Sequence, residues 1–259
     1  MRTFQATTAP SRTWRDLGSF LLIVTLACLG DAARAQDAVA TVTHIAGLST
    51  ARRDDGSTRL LAARSVIHEG ETLVTEPDTW LEVQFVDDAV LVVGPASRVQ
   101  VTRYSWNPEH PAADRVVLEL LGGSLRSETG RLGKRNHDAI LVKVPGGEIA
   151  VHGTTFVAQS MPAGVPGTSG APAPPTSGGL APGLYVQVID GAISLSNKGG
   201  STNFAAGQFG YTASIQQPPV VVPKNPGIQF TPPPVFNQST GPSASQSPSK
   251  SNVVDCEVR

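Results

Sequence analysis

From residue 38 to residue 159, apolar and polar positions alternate in short runs that turn residues interrupt. Thr41-Val42-Thr43-His44-Ile45 alternates, Ala46-Gly47 breaks the run, and Leu48-Ser49-Thr50 resumes it. Alternation with a period of two is the mark of a half-buried strand. Asp54-Asp55-Gly56-Ser57 carries the Asp-Gly pair favoured in tight hairpins, where positive φ is tolerated. Trp80-Leu81-Glu82-Val83-Gln84-Phe85-Val86 alternates, Asp87-Asp88 turns, and Ala89-Val90-Leu91-Val92-Val93 returns. Beyond the N-terminal region, apolar residues never recur at helical spacing over a dozen residues, so the pattern predicts no helix.

The same unit, alternating residues around one or two turn residues, recurs along the chain. It appears at Val117–Leu125, at Ile140–Val151 across Pro145-Gly146-Gly147, at Tyr185–Leu195 across Asp190-Gly191, and more weakly at Phe204–Phe209. The spacings are irregular, which excludes a strict repeat. Short strands that each hide one face must stack to make a core, so the expected fold is all-β: an irregular β-solenoid, a β-roll or a sandwich.

Three segments depart from this pattern. Arg2, Arg12 and Arg15 precede the apolar run Phe20–Gly30, and Ala33-Arg34-Ala35 follows. That order is the basic, apolar and small-residue sequence of a secretory signal peptide, cleaved to leave Gln36 first. The run is shorter than the ~20 residues a membrane span needs, so no transmembrane anchor is expected after cleavage. Residues 160–183 hold six Pro among Gly, Ser and Thr, and residues 216–255 hold nine. Both read as segments too poor in periodic apolar residues to offset chain ordering. The expected layout is a signal peptide at 1–35, a β domain at 36–215 with a flexible insertion at 160–183, and a disordered Pro/Ser-rich tail at 216–259.

Charge and chemistry narrow the function by exclusion. The net charge is -1, with no basic stripe to suggest nucleic acid. Of two cysteines only Cys256 would survive signal cleavage, so no intramolecular disulfide is expected. His44, His68, His110, His137 and His152 are scattered without HExxH spacing, and no metal site or cofactor is expected. The nearest approach to a nucleophile elbow, Gly167-Thr168-Ser169-Gly170, lies in the Pro-rich insertion without a strand-to-helix setting. Arg126, Arg131, Lys134 and Arg135 form a modest basic cluster that reads as a solvated connection. No catalytic residues are predicted.

Laid end to end, the strand units resemble the FecR domain. The likeness begins at Gly70-Glu71-Thr72-Leu73-Val74-Thr75 and continues through Trp80–Asp88, with Asp88 where the family usually has Gly. Gly94-Pro95-Ala96-Ser97 and Leu121–Arg126 follow, and Val188–Ile193 resembles the closing strand. The most specific stretch is Val144–Val157, in which Pro145, Gly147, Val151, Gly153, Thr154 and Phe156 match the family signature. The resemblance implies that these residues set the fold: Gly153 a tight turn, Thr154 and Thr155 caps on strand ends, and Val151, Phe156 and Val157 core or strand contacts. It also implies a signalling-associated binding role in the periplasm or at the cell surface. FecR regulators commonly carry a cytoplasmic sigma-binding domain; with only about twenty residues before the apolar run, direct sigma-factor contact is not expected. The expected partner is an envelope protein. The alternative is a structural protein associated with peptidoglycan or exopolysaccharide.

Overall fold

The computed structural model describes residues 37–162 and 180–237; the expected signal peptide, most of the insertion, the end of the tail and Cys256 lie outside them. The described chain opens with β1 (Ala38–Ala46), β2 (Ser49–Arg52), β3 (Thr58–Leu60), β4 (Val66–His68) and β5 (Thr72–Thr75). It continues with β6 (Trp80–Phe85), β7 (Val90–Val93), β8 (Arg98–Ser105) and the long β9 (Arg115–Glu128). A one-turn helix, α1 (Arg131–Arg135), leads to β10 (Ile140–Val144) and β11 (Gly147–Met161). The last strands are β12 (Gly183–Asn197), β13 (Gly200–Ala205), β14 (Phe209–Thr212) and β15 (Val220–Val222).

All fifteen strands join one sheet, ordered β15-β14-β12-β11-β10-β9-β7-β6-β1-β4, with β8, β5, β2 and β3 branching from β9 and β13 pairing with β12. The pairing is antiparallel except for β9 with β10. The fold is therefore all-β as expected, and one branched, mixed sheet stands where a solenoid, roll or sandwich was anticipated. Branching follows from length: β9 pairs with β8 and β10 through its first half, and with β7 and β11 through its second.

The strands fold around one core cluster drawn from both ends of the sheet, including Val42, Leu73, Val83, Leu91, Leu125, Phe156, Val186 and Phe204. Alternation decides which residues enter it: Leu91 and Val93 belong to this cluster and Val92 faces away. The partner strands β11 and β12 change direction together at Gly153 (φ +64) and Gly191 (φ +79). A Cβ on Gly191 would stand 2.5 Å from the Gly153 carbonyl oxygen, so the crossing requires glycine. The hairpins predicted at Asp54–Ser57 and Asp87–Asp88 form between β2 and β3 and between β6 and β7.

Three boundaries differ from the sequence reading. The connection Arg131–Arg135 is helical, although one turn is too short to show a period. The insertion is narrower than 160–183, because Ser160 and Met161 pair with Leu184 and Gly183. The tail does not begin at 216: β15 pairs with β14, and Ile228 and Phe236 are buried. Proline content hid this, since Pro218-Pro219 and Pro223 flank a strand of only three residues.

Candidate functional site

The six signature residues converge on the β10–β11 hairpin and the bend that follows it. Val144 pairs with Gly147, leaving Pro145 and Gly146 as the two-residue turn. Gly147 approaches the Ser196 carbonyl too closely to carry a side chain. Pro145 lines a surface cleft of ≈ 590 Å³ together with Leu121, Gln159 and Met161. Val151 and Phe156 are fully buried on the core side of β11. Thr154 sits where the β11–β12 register shifts. Its Oγ1 donates to the Ala192 carbonyl (2.5 Å) and accepts from the Ala192 N–H (3.1 Å). Thr129 repeats this device against Thr154: its hydroxyl donates to the Thr154 carbonyl (2.9 Å) and accepts the Thr154 N–H (2.9 Å). These threonines restore the ladder bonds that the bend removes.

Buried carboxylates act as pins between strands. Asp87 is 1% exposed; it accepts from the Tyr104 hydroxyl, from the Ala89 N–H (3.1 Å) and from the Leu132 N–H (3.0 Å). Burial, then the nearby Asp87 charge, pushes the Tyr104 hydroxyl far above its usual range, which keeps it a donor. Asp114 holds Arg135 (2.7 Å), whose guanidinium lies 4.0 Å from the Trp106 ring centre. Arg131 pairs with Asp88 (2.8 Å). Two cations of the sequence's basic cluster are thus engaged within the chain.

Glu71, at the start of the FecR-like stretch, accepts from Arg59 (2.7 Å), Arg53 (3.3 Å) and the His68 N–H (3.1 Å). Burial pushes its carboxyl up, but the Arg59 hydrogen bond, the His68 N–H and the Arg59 charge outweigh this and hold it below the usual range. A depressed carboxylate stabilises the fold above its unfolded pKa, and that contribution is lost as pH falls through the folded value. Glu71→Gln should therefore cost about 1–2 kcal/mol at pH 7, a modest figure because both arginines are partly exposed. Urea unfolding of the two proteins from pH 7 to pH 3 should show the gap closing below the ordinary carboxylate range; a gap constant with pH would contradict the assignment.

The feature that the sequence concealed lies on the sheet face away from the main core. Registered neighbours share a face, so His44, Glu82, Val92, Arg126, Val157, Gln187, Phe209 and Val222 form one row across eight strands. Beside it run Ser124, Gln159, Tyr185, Tyr211 and Val220. Such a face is commonly polar, yet Val92 and Val157 are buried on it.

The chain after β15 covers this face. Ile228 closes a second apolar cluster with Val157 and Tyr185, joined by Met161, Leu180, Phe209, Tyr211 and Phe230. The Phe230 ring meets Trp80 edge-on at 5.0 Å and passes over Gly94, where a Cβ would stand 3.4 Å from it. The Phe236 ring lies 5.7 Å from His44. His44 Nδ1 is 2.8 Å from Glu82, which also accepts from the Thr43 hydroxyl (2.6 Å). In sequence the signal of this was a few apolar islands among the prolines: Val220–Val222, Ile228 and Phe230, and Val235-Phe236.

An all-β domain pinned by buried carboxylates is the class these observations define. Residues 71–169 match the family described as FecR protein, a stretch that runs from the start of β5 past the end of β11. No curated protein matches the chain. Among solved structures, one described as a cell surface anchoring domain is 30% identical over 25% of this chain and 84% of that chain, with a TM-score of 0.24. Two crystal structures of a candidate anti-sigma factor from Parabacteroides distasonis ATCC 8503 are 10% and 11% identical, each with a TM-score of 0.40. This chain spans 58% of their length, less than two thirds, and TM-scores of this size do not establish a shared fold.

Proposed function

We propose that the chain is an exported, non-catalytic FecR-domain module that binds an envelope protein in the periplasm or at the cell surface and thereby takes part in signalling. The FecR match over residues 71–169 carries the reading. The described polar residues support it: Asp87, Glu71, Asp114, Thr129 and Thr154 all face partners within the fold rather than a common reacting centre. Among the described residues, no group of three or more His, Cys, Asp or Glu is placed to hold a metal ion, and no helix is long and apolar enough to cross a membrane. Export rests on the N-terminal pattern ending at Ala33-Arg34-Ala35.

A second reading, a structural protein on peptidoglycan or exopolysaccharide, draws on the solvent-facing row Gln100, Glu119, Lys143, Glu148, Ser196 and Ser201. Polar side chains of both signs there line part of a cleft of ≈ 480 Å³. The experiment is cell fractionation followed by affinity capture with the mature chain. A chain beginning at Gln36, outside the cytoplasm and retained reciprocally by one envelope protein, is the expected result. Retention on purified peptidoglycan or exopolysaccharide alone would replace signalling with the structural role. Recovery with Met1 intact from the cytoplasm would overturn both.

A further inference from the structure

We propose that the aromatic strip on the outer sheet face is a receptor site for an extended, proline-rich peptide of a partner protein, and that residues 226–237 hold it closed in cis. The inference rests on the binding-module reading and specifies its site.

The strip itself is the first observation. Tyr185, Tyr211 and Phe209 gather on a face where antiparallel sheets commonly present polar residues, and Trp80 stands further along the same face, reached by the Phe230 ring. What covers it is the second. The covering segment carries Pro226, Pro232, Pro233 and Pro234 around three anchors, Ile228, Phe230 and Phe236. Grooves lined by aromatic rings suit such peptides, because a proline-rich backbone is already extended and loses little freedom on docking. From Ile228 to Pro233, before the single 3-10 turn at Pro234–Asn237, the chain's own segment thus displays the chemistry of the ligand the strip accepts.

The mode of attachment is the third. Among the described residues, no hydrogen bond joins residues 226–237 to the sheet. Their bonds are local: the Asn225 side chain with Gly227 and Ile228, and the Phe236 N–H to the Pro233 carbonyl. Side chains alone seat the strap, so it can lift without breaking a strand ladder, the kind of local opening that costs less than global unfolding. A tethered segment also acts at an effective concentration in the millimolar range. A free peptide therefore competes poorly with the intact strap, and the closed state is the resting one.

The test uses the full mature chain and, as probe, a labelled synthetic peptide of residues 224–237. Replacing Ile228 with Ser and both Phe230 and Phe236 with Ala removes the anchors while retaining every proline. Fluorescence anisotropy should show the peptide binding this variant at least tenfold more tightly than the intact chain. Adding Trp80→Ala should remove most of that gain, and a peptide with its three anchors changed to Ser should not bind. Equal, weak binding to folded variant and intact chain would overturn the proposal. Should the variant fail to fold, a protease site introduced after Lys224 in the wild-type chain serves instead: after cleavage the labelled peptide should exchange with the severed strap. Failure to exchange would overturn the proposal equally. Sedimentation showing that intact chains trade straps to form dimers would overturn its partner-peptide form. Peptide binding without any captured envelope partner would leave the site standing and remove the signalling role; the reverse result would do the opposite.

Discussion

Phe156→Ala should destabilise the domain by about 3–5 kcal/mol, the range for a buried aromatic truncated to Ala. The ring is 0% exposed, on the strand that pairs with Ser127 of β9 on one side and Val188 of β12 on the other. It belongs to the core cluster that gathers residues from β1 through β13, so a cavity there weakens contacts on many strands together. Against a typical total of ~5–15 kcal/mol, such a loss removes a large share of stability. Urea unfolding should show a lower midpoint with an unchanged slope, since the surface exposed on unfolding is nearly the same. A variant that melts like the parent would mean that the signature does not form the core.

Asp87→Ala should be the second costly change, at roughly 2–5 kcal/mol. The substitution strands the Tyr104 hydroxyl and the Leu132 N–H, and each buried unsatisfied group costs about 1–3 kcal/mol. It also weakens the hold of the β6–β7 turn on the start of α1, where the Arg131 N–H bond to the Asp87 carbonyl remains. Tyr104 itself stays in place by stacking on Phe85, with ring centres 4.6 Å apart. Adding Tyr104→Phe to Asp87→Ala removes one stranded donor, so the double variant should recover part of the loss. A double-mutant cycle by thermal or urea unfolding reads this directly. Strict additivity would show that the two side chains do not depend on one another.

The hairpins were legible because their turns are decided locally. Asp88 shows why a departure from the FecR pattern did no harm. Its φ is +67, the left-handed region that glycine usually fills and that Asp enters more readily than most residues. The signature was legible as a string, but the job of Thr154 was not, because its partners Thr129 and Ala192 lie 25 and 38 residues away. The helix α1 was hidden for a related reason. The Arg131 and Leu132 N–H groups that open it are accepted by Asp87, across 45 residues for Leu132. The strap was hidden most deeply. Composition marked residues 216–237 as unable to order, and taken alone they lack a core; Trp80, His44, Val157 and Tyr185 supply it from elsewhere.

The pairing of β11 with β12 has a consequence for how the chain tolerates change in length. The two strands pair from Glu148 with Ser196 to Met161 with Gly183, across the bend at Gly153, so the ends of the connection between them already stand side by side. Register is fixed by that long ladder, not by the connection. Closing a loop between fixed neighbours costs entropy that grows only logarithmically, about 0.6 kcal/mol for each doubling of length. Relatives are therefore free to differ widely in length between Met161 and Gly183 at little thermodynamic cost. For the experimenter, the same connection offers a place to graft a fluorescent domain or an epitope, provided that Met161 and the stretch from Leu180 onward, which pack with the strap, are kept.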